Sequence, residues 1–599
     1  MQYSFVGMEV IYKNISIPVE SGADLGDTEM KVDISLTDEV EVLAERVPIQ
    51  VDKDTVTFDA KAFKVKAGGV VEDLLKQLPG VEVDKVGNVN ALGEDVTKVL
   101  VDGKVFFGDD PLVATKNLPA DAIDKVQVYD KRSEDAEFMG IDDGVRDRTI
   151  NLQLNEDSKK GYFGNIGAGG ATENHYRTKG DLYRFTSTIQ SAILGMGNDI
   201  NQFGFSGAGS QFGQEIPGLN KTTAGGINLS FNQTNSNRYF ISYLGNSNKR
   251  DLIENTSTEN FLQAGSYFQD KDLNSKSRTK PNNIDFGVHH NFKKQRVTID
   301  GDMNISSNDI VSHTLTNSRQ GDTPVNRLDN RNHTLSDVFN ANVNASYIAK
   351  LNDGKTQVKT GITSSYNNNT SNLDWTNTST IFDLNTVTTN NQFQDNDTDN
   401  FTVSFNPTIV QMLSPFWNFN TGLNIGSIDR NLDRKQGISG QGNVIDESLS
   451  ADFNTNELYF SPFLSFQRNT DKTHVNFRLG ASWNQLDKNL KNNPVNKSDY
   501  FYFLPGFSYN NNYREGRRIT MRYASSVGRP GLNQLLPVTN TVNLFSQYQG
   551  NINLKPEYRH LLNINWSVFD HFSFTSFFAR LTAFYTKDRI SISQTVNED

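Results

Sequence analysis

Cysteine is absent from all 599 residues. This removes disulfides, thiol nucleophiles and Cys-ligated zinc or iron–sulfur sites. Long apolar runs are also missing: no stretch approaches the roughly 18 apolar residues that a spanning helix needs. Hydrophobic residues make up 36% and mean hydropathy is -0.55, too polar for a helical membrane protein. Basic charge is in deficit, with 58 Lys and Arg against 70 Asp and Glu and a net charge of -12. Nucleic acid is therefore excluded as the main partner, since phosphate binding wants a basic face. The opening Met1-Gln2-Tyr3-Ser4-Phe5-Val6-Gly7 has no basic region followed by an apolar stretch, so no signal peptide is legible. Aromatics, in contrast, are abundant: 39 Phe and 20 Tyr, more than disordered chains carry. A polar average with many Phe, Tyr, Gly and Asn is the profile of a transmembrane barrel, where half of each strand faces water or a polar lumen.

Three textures follow one another. Residues 1–38 read as short strands, at Glu9-Val10-Ile11-Tyr12 and Lys31-Val32-Asp33-Ile34-Ser35-Leu36. Residues 39–158 read as a small α/β segment, opened by an acidic linker with Glu39, Glu41 and Glu45. Val71, Leu74, Leu75 and Leu78 repeat at helical spacing and predict a helix over 70–78, stopped by Pro79-Gly80. Lys98-Val99-Leu100-Val101 and Lys104-Val105-Phe106-Phe107 flank Asp102-Gly103, a two-residue hairpin signal. Asp121 to Tyr129 passes from a helical turn into a strand, and Thr149 to Leu154 is the segment's last strand.

Residues 159–599 alternate with period 2. Val475, Phe477, Leu479, Ala481 and Trp483 interleave with Asn476, Arg478, Gly480 and Ser482. The same pattern recurs at 417–426, 562–568 and 227–232. Alternation alone also suits a soluble sheet with one wet face. The connections decide otherwise. Short turns near Thr186-Ser187, Asn235-Ser236, Lys293-Lys294, Asp353-Gly354, Leu413-Ser414, Asn469-Asp471, Arg514-Gly516 and Asp570-His571 alternate with long polar connections. The long ones fall at 197–222, 247–282, 307–334, 367–398, 429–453, 485–498 and 528–557. Short turns on one side and long loops on the other is the outer-membrane rule. The expected count is about 17 strands, an odd number that leaves an open edge, so C-terminal strands are expected to be missing.

The residues of the second texture resemble a known family. Asp52-Lys53-Asp54-Thr55-Val56-Thr57-Phe58, Glu72-Asp73-Leu74-Leu75-Lys76-Gln77-Leu78-Pro79-Gly80-Val81, Val101-Asp102-Gly103-Lys104-Val105-Phe106-Phe107-Gly108, Leu118-Pro119-Ala120 and Lys125-Val126-Gln127-Val128-Tyr129 follow in order. Together they are similar to the plug of Bacteroidetes TonB-dependent receptor-like proteins. Arg529-Pro530, Leu535-Leu536-Pro537 and Gly550-Asn551-Ile552-Asn553-Leu554-Lys555-Pro556-Glu557 look like the same family's barrel. Tyr3 to Glu9 resembles the tail of a carboxypeptidase-regulatory-like β-sandwich, a module without peptidase chemistry. The resemblance implies a mainly β protein in the cell outer membrane, truncated at both ends, with a plug inside an antiparallel barrel of about 22 strands. It implies a bulky imported ligand (a glycan, peptide or metal chelate), TonB as energy-coupling partner, and a surface lipoprotein as a further partner. The matching TonB box is Glu39, Val40, Glu41, Val42, Leu43 and Ala44, which pairs through main-chain hydrogen bonds and so has loose sequence demands. The alternatives are a non-transporting surface protein (an adhesin, or an assembly or secretion scaffold) and a soluble β-rich binding protein.

Enzyme chemistry is not legible, and no catalytic residue, cofactor or metal ligand set is assigned. His289-His290 occupy opposite faces of a strand and cannot readily share a metal. Gly354-Lys355-Thr356 lacks the first glycine of a phosphate loop, with Ala349 in its place. Asp109-Asp110 and Asp142-Asp143-Gly144 read as solvated acidic turns with the chemistry to hold calcium. Trp375, Phe382 and Tyr548 are loop aromatics able to stack on a sugar or to anchor a loop.

Overall fold

The computed structural model describes residues 2–4, 8–14, 27–31, 48–52, 55–84, 87–107, 110–202, 204–205, 217–234, 237–262, 265–440, 442–490, 493–514, 516–542, 547–570 and 575–593. The chain divides into two compact units, 1–47 and 48–599. In the first, Gln2–Tyr3 pairs antiparallel with Ile11–Tyr12. The TonB-box stretch Glu39 to Ala44 lies outside the described residues, as does the predicted strand beyond Lys31.

The second unit begins with an α/β module. Its main sheet has the order Ile49–Asp52, Thr55–Asp59, Ile123–Arg132, Arg146–Leu154, Lys98–Val101, Lys104–Val105. The hairpin turn has positive φ at both Asp102 (49°) and Gly103 (77°), the geometry of a type I′ turn. Helix α1 (Val71–Leu75) is shorter than predicted. Gln77 and Leu78 N–H turn to Leu74 and Leu75 O, tightening the backbone before Pro79 can break it. The periodicity nonetheless selects the right residues, because Val71, Leu74, Leu75 and Leu78 are all buried. Helices α2 (Pro111–Asn117) and α3 (Glu134–Met139) complete the module, α3 capped by Ser133 Oγ on Ala136 N and closed by Gly140 in the left-handed region.

The rest is one antiparallel sheet of 19 segments in sequential order. Two segments are not separate passes. Thr386–Phe405 and Thr408–Met412 both pair with the same two neighbours and are one strand interrupted at Pro407, which has no N–H to donate. Val444–Ile445 adds only a two-residue flap. Seventeen wall strands remain, as the alternation predicts. They are β1 (Phe163–Gly170), β2 (Tyr176–Phe185), β3 (Ile189–Asn198), β4 (Leu219–Thr234), β5 (Asn237–Leu262), β6 (Gly265–Asn291), β7 (Gln295–Gln320), β8 (Thr323–Leu351) and β9 (Thr356–Ile381). After the interrupted β10 come β11 (Trp417–Ile438), β12 (Ala451–Asn469), β13 (Thr473–Leu490), β14 (Asn493–Arg514), β15 (Arg517–Gly528), β16 (Glu557–Phe569) and β17 (Ser576–Lys587).

The strands are longer than the alternation suggests. Most of the predicted loops at 247–282, 307–334, 367–398 and 485–498 are paired strand. β8 has 29 residues, whereas a tilted strand crosses a bilayer in about 9–11. The extra length continues away from the short turns as paired β-wall. The 528–557 stretch remains largely a connection, and it carries helix α4 (Leu532–Leu535).

One ladder rung shows what the outer face meets. Ile362, Phe405, Ile425, Phe460, Trp483 and Phe501 are successive register partners across six strands. Every one is 42–57% exposed. A continuous belt of large apolar side chains open to the surroundings is an interaction surface, and at this spacing in a sheet it suits lipid. No helix among the described residues is long and apolar enough to cross a membrane.

Candidate functional site

The module touches the inner face of the wall from one end of the sheet to the other. On the β2–β3 side the contact is apolar. Phe106, buried in the module, packs edge-on to Phe185 at 5.5 Å between centroids and meets Tyr183 at 6.1 Å. Tyr183 Oη donates to Asn117 O at 2.9 Å, and Gln190 Nε2 donates to Val101 O at 3.0 Å. At the far end, Gly93 takes φ 84°, and a Cβ there would stand 2.5 Å from the Phe578 ring of β17. Contacts at both ends and along the middle mean that the sheet curls around the module.

The middle of the wall holds the module by charge. Glu134, the first residue of α3, meets Arg296 Nη2 of β7 at 2.6 Å and His289 Nδ1 of β6 at 3.1 Å. Arg296 Nη1 also donates to Glu134 O at 2.7 Å. Next along α3, Asp135 pairs with Lys359 of β9. Burial alone would raise the Glu134 carboxyl. The His289 hydrogen bond and the Arg238, His289 and Arg296 charges outweigh it and hold the group far below the usual carboxylate range. On the opposite side Glu94 bridges Arg148 of the module and Arg518 of β15. Burial raises Glu94 too, and the Arg148 and Arg518 charges overcome it, lowering the group.

Asp142 shows how an acidic turn is used. Its carboxylate accepts from Gly144 N at 2.9 Å and from Arg146, while its carbonyl accepts from Asn418 of β11 and Asn469 of β12. Asp143 accepts from Ser133 Oγ and Val145 N. Both carboxylates thus cap the turn, and Asp109 lies outside the described residues. Among the described residues no group of three His, Cys, Asp or Glu could hold a metal ion.

The other sequence candidates separate. His289 faces the module, whereas His290 meets Tyr239 Oη at 2.6 Å, so the two rings do point apart. Gly354 sits in a tight turn after β8 with φ 88°. Trp375 is in strand β9 and 2% exposed, contrary to its reading as a loop aromatic. Phe382 is 44% exposed beside a turn, and Tyr548 pairs with Asn540 in an isolated bridge. Glu134, His289 and Arg296 were not singled out as a group by the sequence. Their one signal is a cation on the polar face of an alternating strand.

Residues 349–599 match a family model described as outer membrane protein beta-barrel family. Among solved structures, the chain is similar to the ferric-catecholate import receptor Fiu of E. coli K12 in its open form, at 10% identity over 90% of this chain and 96% of that one, with a TM-score of 0.31. The ferric yersiniabactin uptake receptor FyuA of Yersinia pestis gives 10% identity, 87% and 92% coverage and 0.28. The copper transporter OprC gives 10%, 90% and 89%, and 0.28. Likeness at this level carries no weight for function. No curated protein matches the chain. The family match over the second half of the wall, together with the apolar belt, places the protein in the outer membrane.

Proposed function

We propose that this chain is an outer-membrane receptor of the TonB-dependent kind, of the Bacteroidetes type, which admits a bulky ligand past a movable plug. The α/β module is the plug. One observation carries this reading: the module is seated by separable polar pairs, at Glu134, Asp135 and Asp142 along the middle of the wall and at Glu94 against β15. A permanently fused core would be dry and apolar on every side. A wall this wide needs a filled lumen, or it leaks. TonB takes hold at Glu39 to Ala44 by strand addition, and residues 1–38 are the tail of a regulatory-like sandwich. The ligand is a glycan, a peptide or a metal chelate, handed over by a surface lipoprotein, and the chain has no enzymatic role.

The test is deletion of Glu39 to Ala44 in the full-length protein, with uptake and growth on the ligand measured beside outer-membrane abundance. Uptake falls to background while abundance holds. Unchanged uptake sinks the TonB reading and favours a surface scaffold.

A further inference from the structure

The wall carries inward-facing cations that no carboxylate pairs with directly. Arg430 and Arg434 lie on β11 and Lys488 on β13. Asn418 of β11 donates to the module, and His474 of β13 lies against it. The three cations stand an even number of residues further along the same ladders, so they share the inward face. Arg430 and Lys488 are both register partners of Thr455, which sets their Cα atoms about 10 Å apart. Arg434 is roughly 13 Å further up its strand.

Lys488 is 2% exposed and Arg434 is 5% exposed. Their partners are neutral. Lys488 Nζ donates to Ile552 O at 2.7 Å. Arg434 donates to Asn396 Oδ1 at 3.1 Å and Asn533 Oδ1 at 2.8 Å. Arg430 donates to Thr455 Oγ1 at 3.1 Å and Pro530 O at 2.9 Å, and its Nη2 is buried with no partner. Glu457, the acid on this face, pairs with Arg529 at 2.7 Å and reaches Arg430 only through its field, leaving Arg434 and Lys488 with no carboxylate beside them among the described residues. Among the described residues no Asp or Glu forms an ion pair with Arg430, Arg434 or Lys488. Cations taken out of water without a counter-charge are costly.

Three of the neutral acceptors come from one segment. Pro530, Asn533 and Ile552 belong to the connection between β15 and β16, whose Leu532, Leu535 and Leu536 pack on Leu432 and Phe453 of the wall. We propose that Arg430, Arg434 and Lys488 form an oxyanion-binding site for the imported ligand, and that this connection's neutral oxygens hold the site until carboxylate or phosphate groups displace them. The inference rests on the uptake reading above and narrows the ligand to one bearing two or more oxyanions. Arginine suits either group, because its fork matches two oxygens at once.

The intact protein in lipid nanodiscs is titrated calorimetrically with citrate, with inorganic pyrophosphate and with neutral maltotriose. At least one oxyanion binds saturably. Arg434→Gln and Lys488→Met each weaken it about tenfold or more. Preference for citrate assigns a carboxylate ligand and preference for pyrophosphate a phosphate one. Hydrogen exchange on the unsubstituted protein gives a second readout that does not depend on variants folding. Saturating oxyanion raises exchange across 530–541 and 547–553 and leaves α1 unchanged. Non-saturable binding, or equal binding by the variants, overturns the site, and unchanged exchange overturns the displacement. Uptake that survives both substitutions together removes the site and keeps the receptor. Oxyanion binding without uptake in cells keeps the site and removes the receptor reading.

Discussion

Glu134 sits between a cation of the wall and its own helix, so its loss is felt on both sides. Glu134→Gln keeps the shape and removes the charge. It leaves Arg296, whose side chain is 6% exposed, with only the more distant Asp135 carboxylate at 3.9 Å as counter-charge. Breaking a fully buried pair costs several kcal/mol, but the Glu134 side chain is 32% exposed, so we expect about 1–2 kcal/mol. The pH dependence has a definite sign. Glu134 is depressed in the folded protein, so its contribution is complete above the ordinary carboxyl value of 4.5 and is lost as pH falls through the lower folded value. In urea titrations, the gap between the parent and Glu134→Gln does not narrow from pH 7 to pH 5 and closes toward pH 3. A gap that closes between pH 7 and pH 5 contradicts the assignment. At Gly93, φ 84° and the Phe578 ring leave no room for a side chain. Gly93→Val loosens the seat at β17, read as faster exchange at Glu94 and Asp95.

Elements show where local pattern is enough and where it is not. Asp102-Gly103 announced its hairpin because only positive-φ residues make that turn. Gly103→Val is strained at φ 77° and lowers stability by roughly 1–2 kcal/mol in urea titration. Strand length was not legible. Stretches rich in Asn, Asp, Ser and Thr signal loops, yet here they pair side chain to side chain across the ladder. Asn368 Nδ2 donates to Asp397 and Asp399, and Thr378 meets Thr389 at 3.1 Å. Cross-strand partners supply what an isolated strand lacks, and a single pass along the sequence does not reveal them. The 247–262 and 265–282 arms therefore resist proteases on intact cells as an ordered hairpin does. Rapid cleavage within either arm contradicts the paired register. The cation site was hidden for the same reason: Arg430 and Lys488 lie next to Thr455 only once three strands align, and their acceptors lie in a distant connection.

At the scale of the whole molecule the wall has two solvents, and alternate residues of one strand sort between them. Ile425 of β11 belongs to the outer apolar rung, while Asn424 points to the opposite face. Arginine on a lipid face costs about 2–4 kcal/mol at mid-membrane and far less in a polar lumen. Ile425→Arg therefore lowers the amount assembled in the outer membrane, and Asn424→Ser does not. The natural absence of cysteine allows the most direct test of the account. Single substitutions Asn418→Cys, Phe419→Cys, Asn420→Cys, Thr421→Cys, Gly422→Cys, Leu423→Cys, Asn424→Cys and Ile425→Cys are probed in native outer membranes with a lipid-dissolved maleimide and a charged one. The account predicts strict alternation: odd positions react only with the lipid-dissolved reagent, and even positions never do. Odd positions that react equally with the charged reagent would show a sheet standing in water and would contradict the membrane wall.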